Sequence, residues 1–419
     1  MVEIFEILKE YNFWQKGPEN LGYIRAHYLN KIKKYIDTDL IKVLIGQRRV
    51  GKSYIMRQII QHLLAKKVNP GNIFYLNKEI VGYDSIVNYR DLYDLIEFYQ
   101  KKLQIKGKVY VFIDEVQEIS DWEKIINSLS QDYQKSYEVF ITGSNSKLLS
   151  GELATYLSGR YIDFEIFPFS FEEYTDYHQV DKDKVSFINY IKKGGLPELY
   201  KLKEEETRSH YITALLNTIL LKDIVQRYKI KNIYLLERIF KFIVDNIGNL
   251  FSINNVVNYL NSNKINTNFE TVSTYINYLL QTLLVCEVDR YDIKGKSILA
   301  SNKKYYLNDL SFRNYLSSSF DKGLGHHLEN IIFNHYKMLG YKVFVGKIAN
   351  GEVDFVVEKP GDKKYIQVAY SLANEKIIQR EFDCLKNISD SYEKIVFSLD
   401  DISIGNIDGI KHLLPWNVL

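Results

Sequence analysis

Residues 46–53 read Gly46-Gln47-Arg48-Arg49-Val50-Gly51-Lys52-Ser53. Two glycines five positions apart, followed by Lys and Ser, make the full phosphate-loop pattern, and few strings constrain a fold as tightly. The glycines let the backbone curl until consecutive N–H groups face one anion. A helix must follow, because its positive end adds to the same field. Upstream, Lys42-Val43-Leu44-Ile45 is a short apolar run, as a buried parallel strand requires. Downstream, Ile55, Met56, Ile59, Ile60, Leu63 and Leu64 recur at helical spacing. The candidate nucleotide-binding residues are therefore Gly46, Gln47, Arg48, Arg49, Val50, Gly51, Lys52, Ser53 and Tyr54. Lys52 can reach terminal phosphates, and the Ser53 hydroxyl can hold Mg²⁺.

A nucleotide site also needs Mg²⁺ held from a second side and a group that activates water. Val109-Tyr110-Val111-Phe112-Ile113 is an apolar strand ending in Asp114-Glu115. Asp114 at the strand's carboxyl end suits the Mg²⁺ shell, and Glu115 suits orientation or deprotonation of the attacking water. The alternative is an acidic pair capping the next helix, with Trp122, Ile125 and Ile126 on its inner face. A further strand, Tyr137–Thr142, precedes Gly143-Ser144-Asn145-Ser146. Ser144 or Asn145 there would bond the γ-phosphate or the lytic water, or else form an ordinary turn and N-cap. Asn72–Leu76 and Asp163–Phe167 supply two more strands, so alternating strands and helices predict an α/β fold with a parallel sheet.

An ordered series of short strings accompanies the loop. It comprises Asp114-Glu115-Val116-Gln117, Thr142-Gly143-Ser144, Leu157-Ser158-Gly159-Arg160, Phe167-Pro168-Phe169-Ser170-Phe171-Glu172 and Gly194-Gly195-Leu196-Pro197-Glu198. With these the chain resembles AAA-type P-loop ATPases in which Glu follows the Mg²⁺-binding Asp, and within them a prokaryotic branch. The resemblance implies ATP and Mg²⁺ as ligands and ATP hydrolysis as the activity. It also implies a C-terminal domain like a degraded nuclease. Arg160 would contact a phosphate, in cis or on a neighbouring subunit, which would require a homo-oligomer. Arg48 and Arg49 would do the same, bind acids or DNA, or form plain salt bridges.

At 419 residues the chain exceeds one core, and about three domains are expected. The boundaries read as an ATPase core over 1–168, a helical lid over 169–232, a winged-helix-like module over 233–312 and a nuclease-like α/β domain over 313–419. Net charge is 55 − 52 = +3, which neither demands nor excludes nucleic acid. Cys286 and Cys384 lack metal-ligand spacing, and no apolar run approaches membrane length. Met1-Val2-Glu3-Ile4 carries no basic leader, so a cytoplasmic location and no membrane partner are expected.

Leu236 to Ile243, a segment capped by Ser252, and Phe269 to Leu284 read as three helices, followed by a hairpin. That order suggests a winged helix. Its third helix holds no Lys or Arg, whereas the hairpin carries Arg290, Lys294, Lys296, Lys303 and Lys304. DNA contact through the hairpin and protein packing both stand as readings. The last hundred residues resemble the PD-(D/E)xK arrangement. They keep Glu329 and Asp354, but Gln367 stands where the second acid belongs and Ala369 where the Lys belongs. Lys364 and Lys376 are the nearby substitutes. An inactive binding domain is expected, because an amide is a feeble ligand for hard cations. The expected function is an ATP-driven molecular switch. An ATP-regulated nucleic-acid binder or nuclease is the alternative, and a nucleotide-stabilised binding module is a third reading.

Overall fold

The computed structural model describes residues 2–145, 157, 159–316, 323–349 and 351–419. Ser146 and Ser158 of the strings above lie outside the described residues. The chain forms two compact units, Met1–Ile166 and Phe167–Leu419.

In the first unit, β1 (Ile41–Ile45), β2 (Ile73–Asn77), β3 (Val109–Asp114), β4 (Tyr137–Gly143) and β5 (Tyr161–Glu165) make one sheet. All pairings are parallel, in the order β2-β3-β4-β1-β5. Every residue of β1 and β3 is buried, and both read as nearly continuous apolar runs, Lys42 in β1 and Asp114 at the end of β3 being their polar members. Helices Lys52–Ala65, Tyr89–Leu103 and Trp122–Gln131 each turn an apolar stripe inward. Asn88 and Asp91 close a capping box on the second of them. Lys42 is buried as well, its ammonium 2.6 Å from the equally buried Glu138 near the amino ends of β1 and β4.

The second unit opens with helices Phe171–His178, Lys184–Lys193 and Glu205–Thr218, the last running into a π-helical turn at Ile219–Gln226. Helices Ile233–Asp245, Ile253–Ser262 and Phe269–Gln281 follow, and Ser252 caps the second as expected. Then come β6 (Val285–Asp292), β7 (Ser297–Leu307), helix Leu324–Met338, β8 (Lys342–Ile348), β9 (Gly351–Lys359) and β10 (Asp362–Val368). Helix Glu375–Lys386, β11 (Glu393–Phe397), β12 (Asn406–Ile407) and β13 (Ile410–Leu413) complete it. All eight strands form one mixed sheet ordered β12-β13-β11-β10-β9-β8-β6-β7. The hairpin read as the wing of a separate module thus shares a sheet with the later strands, and no boundary at 312/313 divides them. A lone two-stranded hairpin is marginal, and β6 offers β8 a free edge that a parallel pairing satisfies.

The Gly194-Gly195 pair is explained inside this unit. Gly194 has φ +79°, and an added Cβ would lie 2.4 Å from Asp309 Oδ1. At Gly195 it would lie 2.5 Å from the Phe169 carbonyl oxygen. The Gly195 N–H donates to Asp309 Oδ2 at 2.6 Å and the Ser311 N–H to Oδ1 at 2.8 Å. Burial pushes the Asp309 carboxyl up to about 6 despite these bonds. The folded form therefore keeps a proton that the unfolded chain releases near 4, and stability falls as pH rises through that window. Wild type should lose stability relative to Asp309→Asn between about pH 4 and about pH 6, as measured by urea unfolding.

Candidate functional site

The carboxyl ends of β3, β4 and β1 lie side by side, where the strand order leaves a crevice in parallel sheets. The 46–53 loop leaves β1 there. At Gly46 an added Cβ would sit 2.3 Å from the Ile166 carbonyl oxygen, and Gly51 has φ +99°. Arg49 is also left-handed, at φ +69°. Arg25, almost fully buried, donates from Nη1 to the Val50 carbonyl at 3.1 Å. Carbonyl and N–H oppose each other across a trans peptide, so the Gly51 N–H faces away from Arg25. The helix that follows has no acid of its own in its first turn.

Lys52 is buried and donates to the carbonyl oxygens of Gly46 (2.9 Å) and Gln47 (3.2 Å). Its ammonium is 3.6 Å from Glu115 Oε1. Arg48 turns to Glu79 at 2.7 Å, and Arg49 is exposed. Tyr54 lies beneath the Arg57 guanidinium, 4.6 Å from its ring centre. Both amide atoms of Gln47 are buried with no partner among the described residues.

Asp114 is fully buried at the end of β3. It accepts from Ser53, from Thr142 Oγ1 and from Tyr75 OH (3.2 Å). Burial and then the Glu115 charge push its carboxyl above the usual carboxylate range. Glu115 adopts φ +55°, which swings its side chain back over the loop. Its Oε2 accepts from Gln117 and from Ser144 Oγ at 3.0 Å. Burial alone would raise this carboxyl, but the Lys52 ammonium with the Gln117 and Ser144 bonds holds it below the usual range. Asn145 is buried beside Ser144 on the same turn. Lys52, Ser53, Asp114, Glu115 and Ser144 are thus one connected cluster. Two acids against one ammonium leave it a net −1 when all are ionised.

Arg160 is not part of it. The Ile41 N–H donates to the Arg160 carbonyl at 2.9 Å, so this exposed residue sits at the amino ends of β1 and β5. The five residues of β1, about 16 Å at the usual rise, separate it from the loop. The expectation that Arg160 touches a phosphate in cis fails, because sequence adjacency to β5 places it at the wrong end of a parallel strand.

Thr142 and Gln117 stand in the strings above without an assigned role, and Tyr75 and Arg25 stand in none of them. Thr142 accepts the Glu115 N–H at 3.0 Å while donating to Asp114, and so ties the two acids to β4. A polar residue ending the apolar run Val139-Phe140-Ile141 was the available signal.

In the second unit, Lys364 pairs with Glu393 and Lys376 is exposed, and neither lines the cleft that holds Glu329 and Asp354. Of the hairpin cations, Lys303 pairs with Glu287 and Asp289 (3.0 Å), and Lys304 is buried among carboxylates. Ser398, His412 and Asp400 also meet, with Ser398 Oγ 2.7 Å from His412 Nε2. The Ile404 N–H donates to His412 Nδ1 at 2.9 Å, so neutral His412 carries its proton on Nε2 and donates to Ser398. That is the reverse of what a general base needs.

A family described as an AAA domain matches residues 38–175, and one described as a domain of unknown function matches residues 184–323. An uncharacterized protein of Haemophilus influenzae is 34% identical over 399 residues, covering 94% of this chain and 98% of that one. One of Methanocaldococcus jannaschii is 30% identical over 383 residues, covering 88% and 80%. Among solved structures, the Aeropyrum pernix ORC1 protein in complex with DNA aligns with TM-score 0.35 and 13% identity, over 73% of this chain and 95% of that one. Thermotoga maritima RuvB aligns with TM-score 0.32 and 17% identity, over 64% and 89%.

Thr142→Val should cost about 1–3 kcal/mol in urea unfolding, because it leaves a buried N–H and a buried carboxyl short of a partner. Thr142→Ser should recover most of the loss.

Proposed function

The chain belongs to one family with the Haemophilus influenzae and Methanocaldococcus jannaschii proteins, its N-terminal part an AAA domain, and on that premise we propose that it is an ATP-hydrolysing molecular switch. The observation that carries this reading is the buried cluster of Lys52, Asp114, Glu115 and Ser144 at the carboxyl edge of the parallel sheet.

The residues present fit ATP with Mg²⁺. Gly46 lets the loop pack against the Ile166 backbone, Gly51 supplies the left-handed turn, and Ser53 with Asp114 offers neighbouring hard oxygen donors. When bound, Mg²⁺ supplies charge that stabilises the phosphate oxygens in the transition state. Backbone N–H groups of the loop hold the phosphates. Lys52 exchanges its two neutral carbonyl acceptors for charged phosphate oxygens, a stronger pairing. Glu115, kept ionised at neutral pH, orients the attacking water and takes its proton. Ser144 and Gln117 fix the far oxygen of that carboxylate, and Asn145 stands ready on the same turn.

Arg160, remote from its own loop, would act on a neighbouring copy in a homo-oligomer. Residues 169–232 serve as the lid that passes the nucleotide state to residues 233–419, whose hairpin and later strands share one sheet and bind a protein client or DNA. No helix among the described residues is long and apolar enough to cross a membrane, in keeping with work in the cytoplasm.

Lys52→Ala should lose ATP binding in a nucleotide-affinity assay. Glu115→Gln should still bind ATP but release phosphate roughly 10²–10⁴-fold more slowly. Hydrolysis at the parent rate by Glu115→Gln would end the assignment. Arg160→Ala should lower turnover, and mixing it with Lys52→Ala should restore part of it, as sites shared between subunits require.

A further inference from the structure

The second unit holds a cleft of about 1870 Å³ that the ATP site does not use. Glu329, Glu352, Asp354 and Lys304 line it. The Lys304 side chain is 5% exposed, and its ammonium lies 2.8 Å from Glu329 Oε1, 2.8 Å from Glu352 Oε1 and 3.3 Å from Asp354 Oδ1. An ammonium has three donor hydrogens, so three carboxylates consume it. The acids come from helix Leu324–Met338 and β9, whereas Lys304 comes from β7, three places from β9 in the sheet order. Tyr306, two residues further along β7, also donates to Glu329 Oε1, and its ring packs on Phe333 (4.7 Å) and Phe355 (5.6 Å). Packing therefore fixes where the ammonium stands.

We propose that the Lys304 ammonium is the resident cation of this cleft. It occupies, among Glu329, Glu352 and Asp354, the place a divalent ion would have to take, so the cleft works without metal. The inference goes beyond the ATP-driven switch and stands independently of it.

The surrounding groups agree. Metal-assisted phosphodiester cleavage needs carboxylate oxygens free to ligate and clamp. Among the described residues, no group of three or more His, Cys, Asp or Glu is arranged to hold a metal ion. Asp354 Oδ2 is taken by the Val368 N–H at 2.9 Å. Gln367 spends its carbonyl on the Asp354 N–H (3.2 Å) and its amide on Glu381 (2.8 Å). His326 lies 3.5 Å from Glu329 Oε2. Three acids against one ammonium leave −2 when all are ionised. Burial and then the Glu329 charge push Asp354 up to about 7, which trims that excess near neutral pH. The excess is local to these three acids, because Lys294, Lys296, Lys363 and Arg380 also line the cleft. The ammonium does something else: it ties β7, the helix and β9 together, which makes the hairpin part of one rigid sheet.

The test uses the full-length protein without nucleotide and Mn²⁺ as the only probe, with bound ion read by electron paramagnetic resonance. Wild type and Asp354→Asn should bind Mn²⁺ alike. Lys304→Met should gain a bound Mn²⁺, at least about tenfold tighter than any in wild type. Adding Asp354→Asn to Lys304→Met should remove it. A wild-type Mn²⁺ site that disappears in Asp354→Asn overturns the proposal. So does a folded Lys304→Met that binds Mn²⁺ no better than wild type. Where circular dichroism shows that Lys304→Met does not fold, the comparison of wild type with Asp354→Asn decides by itself.

Discussion

Removing Lys52 from water is the step around which the first unit is organised. A buried ammonium is tolerated only where acceptors and an opposite charge surround it. Two loop carbonyls and Glu115 do this here, and each is itself held in place. The carbonyls depend on the curl at Gly46 and Gly51, and Glu115 depends on Ser144, Gln117 and the Thr142 hydroxyl beneath its backbone. The parallel sheet brings these groups together. The order β3-β4-β1 sets three carboxyl ends next to one another, and Asp114, Thr142 and the loop that follows Ile45 stand on them.

The second unit solves a similar problem with different parts. Lys304 is as deeply buried as Lys52, yet three carboxylates hold it instead of carbonyls. The difference is what each ammonium can exchange. Lys52 keeps neutral partners that a phosphate can displace, whereas Lys304 is locked by charged ones. On the function proposed above, the first unit is poised to take an anion. The other has already satisfied its cation.

Local chemistry accounts for what was legible in the sequence. The loop, its strand and its helix are contiguous, so spacing alone located them. Asp114 and Glu115 were found because an apolar run ended in acids. Thr142 carries the link between these acids, but a single hydroxyl at the end of a strand has no periodic signature. Arg160 was drawn towards the site by its motif, and the parallel register put it at the opposite end. Lys304 stands in sequence among the cations of the hairpin, and nothing near it reveals the acids that bury it.

By itself the sequence determined the loop, the order of strands and helices, and the acids that follow β3, since each depends on neighbours within a few residues. The tertiary structure decided which strand ends meet, that the hairpin joins the C-terminal sheet, and which charges neutralise one another. Those outcomes depend on pairings between residues far apart in the chain, and a buried charge takes its partner from whatever packing brings within reach.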